Sequence, residues 1–292
     1  MPDLLLSVCV RSFNQKGFIS EALESVLKQK TSFRFEIVVS DDCSKDGTRE
    51  VLLEYQSRYP DSIRLILGDV NVGGPNNLKR VIEASNAKYI TCLDGDDYYT
   101  DRYKLQKQVE FLEEHPEYVA CFHNVMNVYE ASGQKSLFLP IDFPSEVNAE
   151  DVISKRWFLP IHSVVMRREL ISFPEWYSEV MNDDYVVNLS AVMHGPYYYM
   201  PDVMAVYRHH GTNTSIQYGN IVLIDSQLKR ILEGFSSIYP SSYKHVFEER
   251  VKYYEDEIHF YEGEIRHPMK KWFRLKTYKR MIKKRLRKWL QI

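Results

Sequence analysis

Four apolar runs in the first hundred residues alternate with stretches of helical spacing, and this alternation restricts the possible folds more than any other feature. The runs cover residues 4–10, 35–40, 63–67 and 89–94. The first is continuously apolar, which is typical of a strand buried on both faces. Strands that alternate with helices predict βαβ units, and therefore a parallel sheet covered by helices.

Amide and carboxylate side chains recur directly after these runs. Ligands of parallel α/β sheets bind at the carboxyl ends of the strands. The polar residues at or just beyond the predicted strand ends are Asn14, Asp41, Asp42, Asn71, Asp94 and Asp96. Their equivalent placement predicts one ligand site at one edge of the sheet.

The fourth run ends in three carboxylates, Asp94, Asp96 and Asp97, around Gly95. Like charges this close repel one another, and each resists the loss of hydration. A divalent cation would relieve both costs, because hard oxygen ligands suit Mg2+ and Mn2+. Glycine would let the backbone turn closely around a ligand. The cluster therefore indicates a metal site that holds a diphosphate, and an ordinary acidic turn is the alternative.

The size and composition of the chain limit its class. Its 292 residues, 44% of them apolar, are enough for one large domain, or for one domain with an appendage. No run approaches the ~20 apolar residues that span a bilayer, and the first residues lack the basic segment of a signal peptide. The four cysteines show no CxxC spacing, so reduced core thiols and a cytoplasmic location are expected.

Two segments carry a specific resemblance to a known family. They are Ser-Asp-Asp-Cys-Ser-Lys-Asp-Gly-Thr at 40–48 and Leu-Asp-Gly-Asp-Asp at 93–97. Residues 4–100 resemble the nucleotide-binding half of family 2 glycosyltransferases, whose motifs read V-D-D-G-S-x-D-G-T and L-D-x-D-D. The resemblance implies an α/β protein of the GT-A fold, with a Rossmann-like, mostly parallel sheet flanked by helices and, here, a C-terminal helical extension.

The same resemblance implies roles for individual acids. Asp41 would bind the uracil of a UDP-sugar, because a carboxylate can accept from the uracil N3–H. Asp94 would bind the ribose, and Asp96 would be the direct ligand of Mn2+ or Mg2+. Further nucleotide-binding residues are expected at the neighbouring strand ends: Asn14, Asp42 and Asn71. Turn and helix capping is the alternative for Asp41 and Asp42.

Two motifs depart from the family pattern. The usual Pro-Thr-Tyr-Asn is Arg-Ser-Phe-Asn at 11–14, and the usual Ala-Arg-Asn-x-Gly is replaced by Asn-Leu-Lys-Arg-Val at 77–81. Arg11 and Lys79 are therefore candidates for contacts with uracil or phosphate, and solvated side chains are the alternative.

The residues Asn-Asp-Asp-Tyr at 182–185 begin a predicted helix. The family has an acid–Asp pair here, which implies that Asp184 is the general base of an inverting transfer, preceded by Asp183. Such a base takes the proton of the acceptor hydroxyl as that oxygen attacks the anomeric carbon, while a metal stabilises the departing diphosphate. Acids also stabilise a helix N-terminus, so capping is the alternative.

Three further residues of the second half are candidates. Residues 207–215 resemble the family's Y-R-x-H-x-x-S-x-S, which implies that His210 contacts the metal or the diphosphate. Arg208 is expected to bind phosphate or to support a carboxylate. Trp176 lies in an aromatic loop, 173–177, and is expected to be an exposed platform for an acceptor sugar, with core packing as the alternative.

The resemblance divides the chain into a glycosyltransferase domain, 1–218, and a helical extension, 219–292. Within the domain, residues 1–100 form the nucleotide-binding half and residues 101–218 the acceptor half.

The end of the extension is strongly basic. From Arg266 onward there are twelve Lys or Arg and no acid, which leaves 26 basic against 40 acidic residues before it. Residues 270–292 predict a basic amphipathic helix that lies on an anionic membrane. Docking on the acidic body and a nucleic-acid tail are the alternatives, and no nucleic-acid partner is expected.

These features predict a metal-dependent, inverting glycosyltransferase that moves a sugar from a nucleotide-sugar to a saccharide or lipid-linked saccharide acceptor. UDP is favoured by family frequency. The predicted setting is cell-surface polysaccharide or lipopolysaccharide synthesis, peripheral on the inner face of the cytoplasmic membrane. A nucleotidyltransferase is one alternative, although residues 11–14 do not supply its Gly-rich phosphate loop. A non-catalytic nucleotide-sugar or carbohydrate-binding module is the other, and it predicts binding without turnover.

Overall fold

The computed structural model describes residues 4–155, 158–211 and 221–266. In these ranges the strands form one sheet. The strands are β1 (Leu4–Ser12), β2 (Arg34–Asp41), β3 (Ile63–Leu67), β4 (Tyr89–Asp94), β5 (Tyr98–Tyr99), β6 (Ala120–Tyr129), β7 (Gln134–Leu137), β8 (Glu146–Val147), β9 (Val165–Arg167) and β10 (Tyr197–His209). The α-helices are α1 (Ile19–Leu27), α2 (Thr48–Arg58), α3 (Gly74–Ala84), α4 (Lys104–Glu114), α5 (Ala149–Ser154), α6 (Asp183–Val192), α7 (Ile221–Ser236) and α8 (Lys244–Arg266).

The long strands of the sheet pair in parallel. The strand order is β3-β2-β1-β4-β9-β6-β10-β5, with β7 on β6 and β8 on β10. β1 is parallel to β2 and β4, β2 to β3, and β6 to β10. The short β9 lies antiparallel between β4 and β6 and joins the two parallel groups. The predicted mostly parallel sheet between helices is therefore confirmed.

The central strand β1 is buried on both faces, as its continuous apolar run predicts. Val8 and Val10 belong to one buried cluster, which α1, α2 and α4 cover, whereas Cys9 belongs to the cluster on the other face. All three side chains are fully buried, and they alternate because successive strand side chains point to opposite faces. This layering leaves the strand ends, rather than the sheet faces, open to a ligand.

The helices α7 and α8 pack into the buried cluster that contains Cys9. Phe235, Tyr239 and Phe247 are buried in it, and the Tyr239 hydroxyl donates to the Leu189 carbonyl of α6. The predicted domain limit at 218 and the predicted basic helix of 270–292 lie outside the described residues. None of the described helices combines the length and the apolar character that a bilayer crossing requires.

The four cysteines are free and buried, as predicted. His123 is fully buried as well, in agreement with its place among apolar neighbours.

Lys104 is a buried cation at the start of α4. Its side chain is fully buried, and its ammonium lies 3.4 Å from Thr91 Oγ1 and 4.3 Å from the centroid of the Tyr99 ring. No carboxylate lies within ion-pair distance of it in the described part of the chain. Burial lowers the pKa of the Lys104 ammonium to about 7, because the charged form loses its hydration.

We expect Lys104→Met to raise the free energy of unfolding at pH 7 by about 1 kcal/mol or more, since each pKa unit is worth about 1.4 kcal/mol. The unfolded chain binds more protons than the folded one between pH 7 and the ordinary lysine pKa, so wild-type stability rises with pH there. The advantage of the variant should therefore shrink from pH 7 to pH 10. Urea unfolding at several pH values measures it, and a pH-independent difference would contradict this account.

Asp42 fixes the loop between β3 and α3. Its buried carboxylate accepts hydrogen bonds from the backbone N–H of Val72 at 2.8 Å and of Gly73 at 2.9 Å. Gly73 has a φ of 86°, which L side chains rarely adopt. The loop conformation therefore depends on one glycine and one acid.

We expect Asp42→Ala to lower the free energy of unfolding by about 1.5–3 kcal/mol, the usual contribution of hydrogen bonds to a charged acceptor. Asp202→Ala is a matched control, because Asp202 is half exposed and contacts only Lys107 at 3.5 Å among the described ion pairs. The control should change stability by less than about 0.5 kcal/mol. Equal losses in the two variants would show that the loop does not rely on Asp42.

Candidate active site

The carboxyl ends of β1, β2 and β4 bring the predicted acids to one edge of the sheet. In the register of these parallel strands, Ser12 lies opposite Asp41 and Arg11 lies opposite Asp94. The backbone N–H of Asp42 donates to the Ser12 carbonyl at 2.9 Å. The loops that follow the three strands therefore leave the sheet side by side.

Two predicted amides accept hydrogen bonds in the loops at strand ends, Asn14 after β1 and Asn71 after β3. Asn14 has a φ of 52°, its N–H donates to Ser44 Oγ at 2.8 Å, and its Oδ1 accepts from the N–H of Lys45 at 2.8 Å. The exposed Asn71 accepts from the N–H of Gly73 at 3.1 Å. Both residues thus lie in the expected loops, and their contact with a nucleotide stays a prediction.

Asp41 is fully buried and already has several partners. Its carboxylate accepts from the N–H of Ser44 at 3.1 Å and from the Ser44 hydroxyl. Arg49 Nε lies 3.4 Å from Asp41 Oδ2, and the same guanidinium donates to the Gly68 carbonyl. The acid therefore organises the loop after β2, and its predicted contact with uracil stays a prediction.

The turn after β4 gathers three carboxylates. One oxygen each of Asp94, Asp96 and Asp97 lies within 4.8 Å of the others. A Cβ added at Gly95 would meet Gln15 Oε1 and lie 2.7 Å from Ile19 Cδ1, so these two side chains would have to shift. Gly95 thus lies against α1 and the loop before it, and its close approach to a ligand stays a prediction.

Asp97 supplies an observation that fits a cation. It is 1% exposed, and its Oδ1 accepts from the N–H of Arg208 at 2.8 Å. Its Oδ2 has no hydrogen-bond partner, although His162 Nδ1 lies 3.2 Å away. Burial, followed by the charges of Asp96 and Asp94, raises the pKa of the Asp97 carboxyl well above its usual range. A buried oxygen without a donor, beside two more carboxylates, is a donor set suited to Mg2+ or Mn2+.

His210 comes to the same turn from the end of β10. Its Nε2 lies 3.0 Å from Asp96 Oδ2, and its ring stacks on Phe18 with centroids 4.4 Å apart. The structure thus brings together the two residues predicted as metal ligands. The neighbouring His209 faces elsewhere, since its ring stacks on Tyr129 at 4.3 Å.

Arg208 connects this turn to the surrounding elements. Its Nε donates to the Asp96 carbonyl at 2.8 Å, and its terminal nitrogens donate to Glu130 at 3.1 Å and Glu21 at 2.6 Å. The guanidinium also lies 5.0 Å from the centroid of the Phe18 ring. These contacts match support of the acidic turn, the second of its two expected roles, and a phosphate contact stays a prediction.

Arg11 lies between Asp94 and Asp183. Its Nε and Nη2 donate to the two oxygens of Asp94, the latter over 3.2 Å, and its Nη1 donates to Asp183 Oδ2 at 2.5 Å. Burial raises the pKa of the Asp94 carboxyl, but Arg11 outweighs it, so the net pKa lies below its usual range. For Asp183 burial prevails over Arg11, and the pKa is raised.

The first turn of α6 presents the predicted base next to this bridge. The N–H of Asp184 donates to Asp183 Oδ1 at 2.8 Å, and Asp184 Oδ1 accepts from the N–H of Tyr185 at 2.8 Å. Asp184 is half-buried. Both acids thus accept from N–H groups of the first turn, whereas the N-cap residue Asn182 makes no side-chain capping bond, and the role of Asp184 as a base stays a prediction.

Lys79 and Trp176 lie in other surroundings. Lys79 Nζ is 3.8 Å from Glu83 on the same helix and 5.6 Å from the centroid of the Phe173 ring. Trp176 is half-buried and packs edge-on against Phe235 of α7, with centroids 5.6 Å apart. The expectation of an exposed aromatic loop is wrong, because α7 covers Trp176 and the neighbouring Tyr177 is 1% exposed. The core-packing alternative describes Trp176, and an acceptor contact of either residue stays a prediction.

Sequence reasoning missed three residues that shape the site. Arg80 donates to Ser40 Oγ at 2.8 Å and to the Asp41 carbonyl at 3.1 Å. The signal was the three-residue spacing of Asn77 and Arg80, which places both on the sheet-facing side of α3. Arg49 and His162 carried no recognisable signal, because their partners depend on the tertiary fold.

Comparisons with known proteins agree with this geometry. The pattern described as Glycosyl transferase family 2 matches residues 7–169. An uncharacterized protein of Mycobacterium tuberculosis is 36% identical over 205 residues, which cover 70% of this chain and 59% of that protein. The putative teichuronic acid biosynthesis glycosyltransferase TuaG of Bacillus subtilis is 34% identical over 110 residues, 38% of this chain and 42% of TuaG. The chain thus spans less than two thirds of these relatives.

Solved structures share the fold. Residues 1–349 of TarS from S. aureus, in complex with UDP-GlcNAc, match 86% of this chain and 80% of that one, with a TM-score of 0.59 and 20% identity. The mannosyltransferase PcManGT from Pyrobaculum calidifontis, in complex with GDP-Man and Mn2+, matches 86% of this chain and 71% of that one, with a TM-score of 0.61 and 20% identity. This likeness confirms the predicted GT-A fold. Since the family pattern matches more than half of the chain, the protein belongs to glycosyl transferase family 2.

Proposed function

We propose that the protein is an inverting glycosyltransferase that uses a nucleotide-sugar donor, with Asp184 as its general base. The observation that carries the proposal is a continuous set of contacts. It runs from Asp94 through Arg11 to Asp183 and on to the backbone of Asp184. This set ties the start of α6 to the strand edge that bears the acidic turn.

The proposed chemistry divides the work between the two ends of this set. Asp184 accepts the proton of the acceptor hydroxyl while that oxygen attacks the anomeric carbon, opposite the leaving nucleotide. Inversion follows from the single displacement. A divalent cation held by Asp96, Asp97 and His210 would stabilise the negative charge of the departing diphosphate. Asp94 and Asp41 would bind the nucleoside.

The proposed donor is a UDP-sugar, and Mn2+ or Mg2+ is the proposed metal. The complex of TarS with UDP-GlcNAc supports the nucleotide, whereas the complex of PcManGT with GDP-Man and Mn2+ makes GDP the first competitor to test. The proposed acceptor is a saccharide of a cell-surface polysaccharide, because relatives carry teichuronic acid and poly(ribitol-phosphate) in their names. A lipid-linked acceptor and membrane contact through 270–292, on the cytoplasmic face, remain predictions from the sequence.

We expect Asp184→Asn to lower kcat by about 10²–10⁴, the usual contribution of general base catalysis. Asparagine keeps a side-chain oxygen that can accept from the N–H of Tyr185, so the first turn of α6 should persist. Transfer measured by UDP release with a saccharide acceptor tests this, and calorimetry should give an unchanged Kd for UDP with Mn2+.

The exposed Asp202 again provides the control for this substitution. Asp202→Asn should keep the wild-type kcat. Wild-type turnover in Asp184→Asn would remove Asp184 from the role of base. Tight UDP binding by the wild type without turnover on any donor would favour the non-catalytic alternative.

We expect a UDP-sugar with Mn2+ to raise Tm more than the matching GDP- or dTDP-sugar. A ligand at a hundred times its Kd stabilises by about 2.7 kcal/mol, which a thermal-shift panel resolves. Chelation by EDTA, or the substitution Asp96→Asn, should remove most of this gain while the metal-free Tm of the protein stays unchanged within about 2 °C. A larger Tm shift with the GDP-sugar would contradict UDP as the nucleotide. Tm shifts that are the same with and without EDTA would contradict a role for the metal in donor binding.

A further inference from the structure

We propose that Arg11 is a positioning residue that fixes the helix bearing Asp184 against the donor-side carboxylate Asp94. The inference rests on the proposed function, because it assumes that Asp184 is the base. The usual family motif has proline at the place of Arg11.

The bridge joins three separate elements. Arg11 is the last residue but one of β1, Asp94 ends β4 and lies opposite Arg11 in the register, and Asp183 begins α6. The side chains are largely buried, with exposed fractions of 21% for Arg11, 25% for Asp94 and 6% for Asp183. Since water competes little at such burial, the contact restrains α6 more than a surface ion pair would.

The shape of guanidinium explains why arginine suits this place. Its planar fork donates to both oxygens of Asp94 while its remaining terminal nitrogen donates to Asp183. A lysine ammonium is a point charge on a flexible stem and cannot hold two carboxylates at fixed angles in this way. Arginine therefore fixes the relative orientation of Asp94 and Asp183 as well as the distance between them.

The bridge reaches the base through one more hydrogen bond. Asp183 Oδ2 accepts from Arg11, and its Oδ1 accepts from the N–H of Asp184 at 2.8 Å. The orientation of the first turn of α6 is thus set from the donor side of the site. A displacement of about 1 Å at a reacting group can cost about a hundredfold in rate, so this restraint matters for transfer.

Electrostatics gives the bridge a second effect. Burial raises the pKa of the Asp183 carboxyl, Arg11 lowers it, and the charge of Asp94 raises it. Without the guanidinium, two buried acids would repel each other across the gap between the strand edge and the helix. Arg11 therefore keeps together two groups that would otherwise separate.

A phosphate-binding arginine is the competing explanation, and a double-mutant cycle separates the two. The variants are Arg11→Gln, Asp183→Asn and the double variant, with Arg58→Gln as a control at an arginine that is 51% exposed. Steady-state transfer gives kcat and the donor KM, and calorimetry gives the Kd of UDP with Mn2+. Far-UV circular dichroism confirms folding.

For a positioning bridge, each single variant should lower kcat by about tenfold, and the double variant by about tenfold as well, because contacting residues are not additive. The Kd of UDP should change by less than about threefold, below 1 kcal/mol, and Arg11→Lys should not restore kcat. If Arg11→Gln does not fold, Asp183→Asn carries the test, since asparagine keeps an oxygen that can accept from the N–H of Asp184. A wild-type kcat in Asp183→Asn would then overturn the bridge.

Two outcomes overturn the proposal and leave the function intact. A kcat about a hundredfold lower in the double variant, the product of the two single effects, would show that Arg11 and Asp183 act separately. A raised KM and Kd with unchanged kcat in Arg11→Gln would show a phosphate contact. The proposed function is tested by a different variant, because wild-type turnover in Asp184→Asn would contradict the role of Asp184 as the base.

Discussion

Carboxylates crowded at the end of a parallel sheet repel one another and lose hydration, and the site depends on how this cost is offset. Donors from distant parts of the chain do so. Asp42 accepts hydrogen bonds from two backbone N–H groups, and Asp41 accepts them from Ser44 and Arg49. The guanidinium of Arg11 donates to both Asp94 and Asp183. Asp97 keeps one oxygen without a hydrogen-bond partner, which leaves an acceptor for a cation.

The convergence of the strand-end residues could be predicted because parallel strands end at a common edge. An apolar run identifies a buried strand from its own residues. The polar residue that follows the run can then be placed at the strand end without knowledge of the rest of the fold. Asp41, Asp94 and Asn14 were located in this way. The contact of His210 with Asp96 needed the family motif, since residues 96 and 210 share no local pattern.

Other contacts could not be predicted because they depend on packing between elements far apart in sequence. Arg11 and Asp183 are separated by 172 positions, and no periodicity relates them. Trp176 lies in the aromatic segment 173–177, which the sequence predicts to be exposed, yet α7 covers it. The side chains of α1 and of the loop before it that lie beside Gly95 likewise have no local signal in the sequence.

The family pattern ends at residue 169, before the bridge has its second acid. A protein shortened to that region would keep Asp41, Asp94 and Asp96 on intact strands, yet Arg11 would face a single carboxylate. It would also lack α6, α7 and α8, whose apolar side chains cover one face of the sheet. The segment that the family pattern matches is therefore smaller than the unit that completes both the proposed reaction centre and the core. A protein cut at its limits would expose the apolar sheet face that these helices cover.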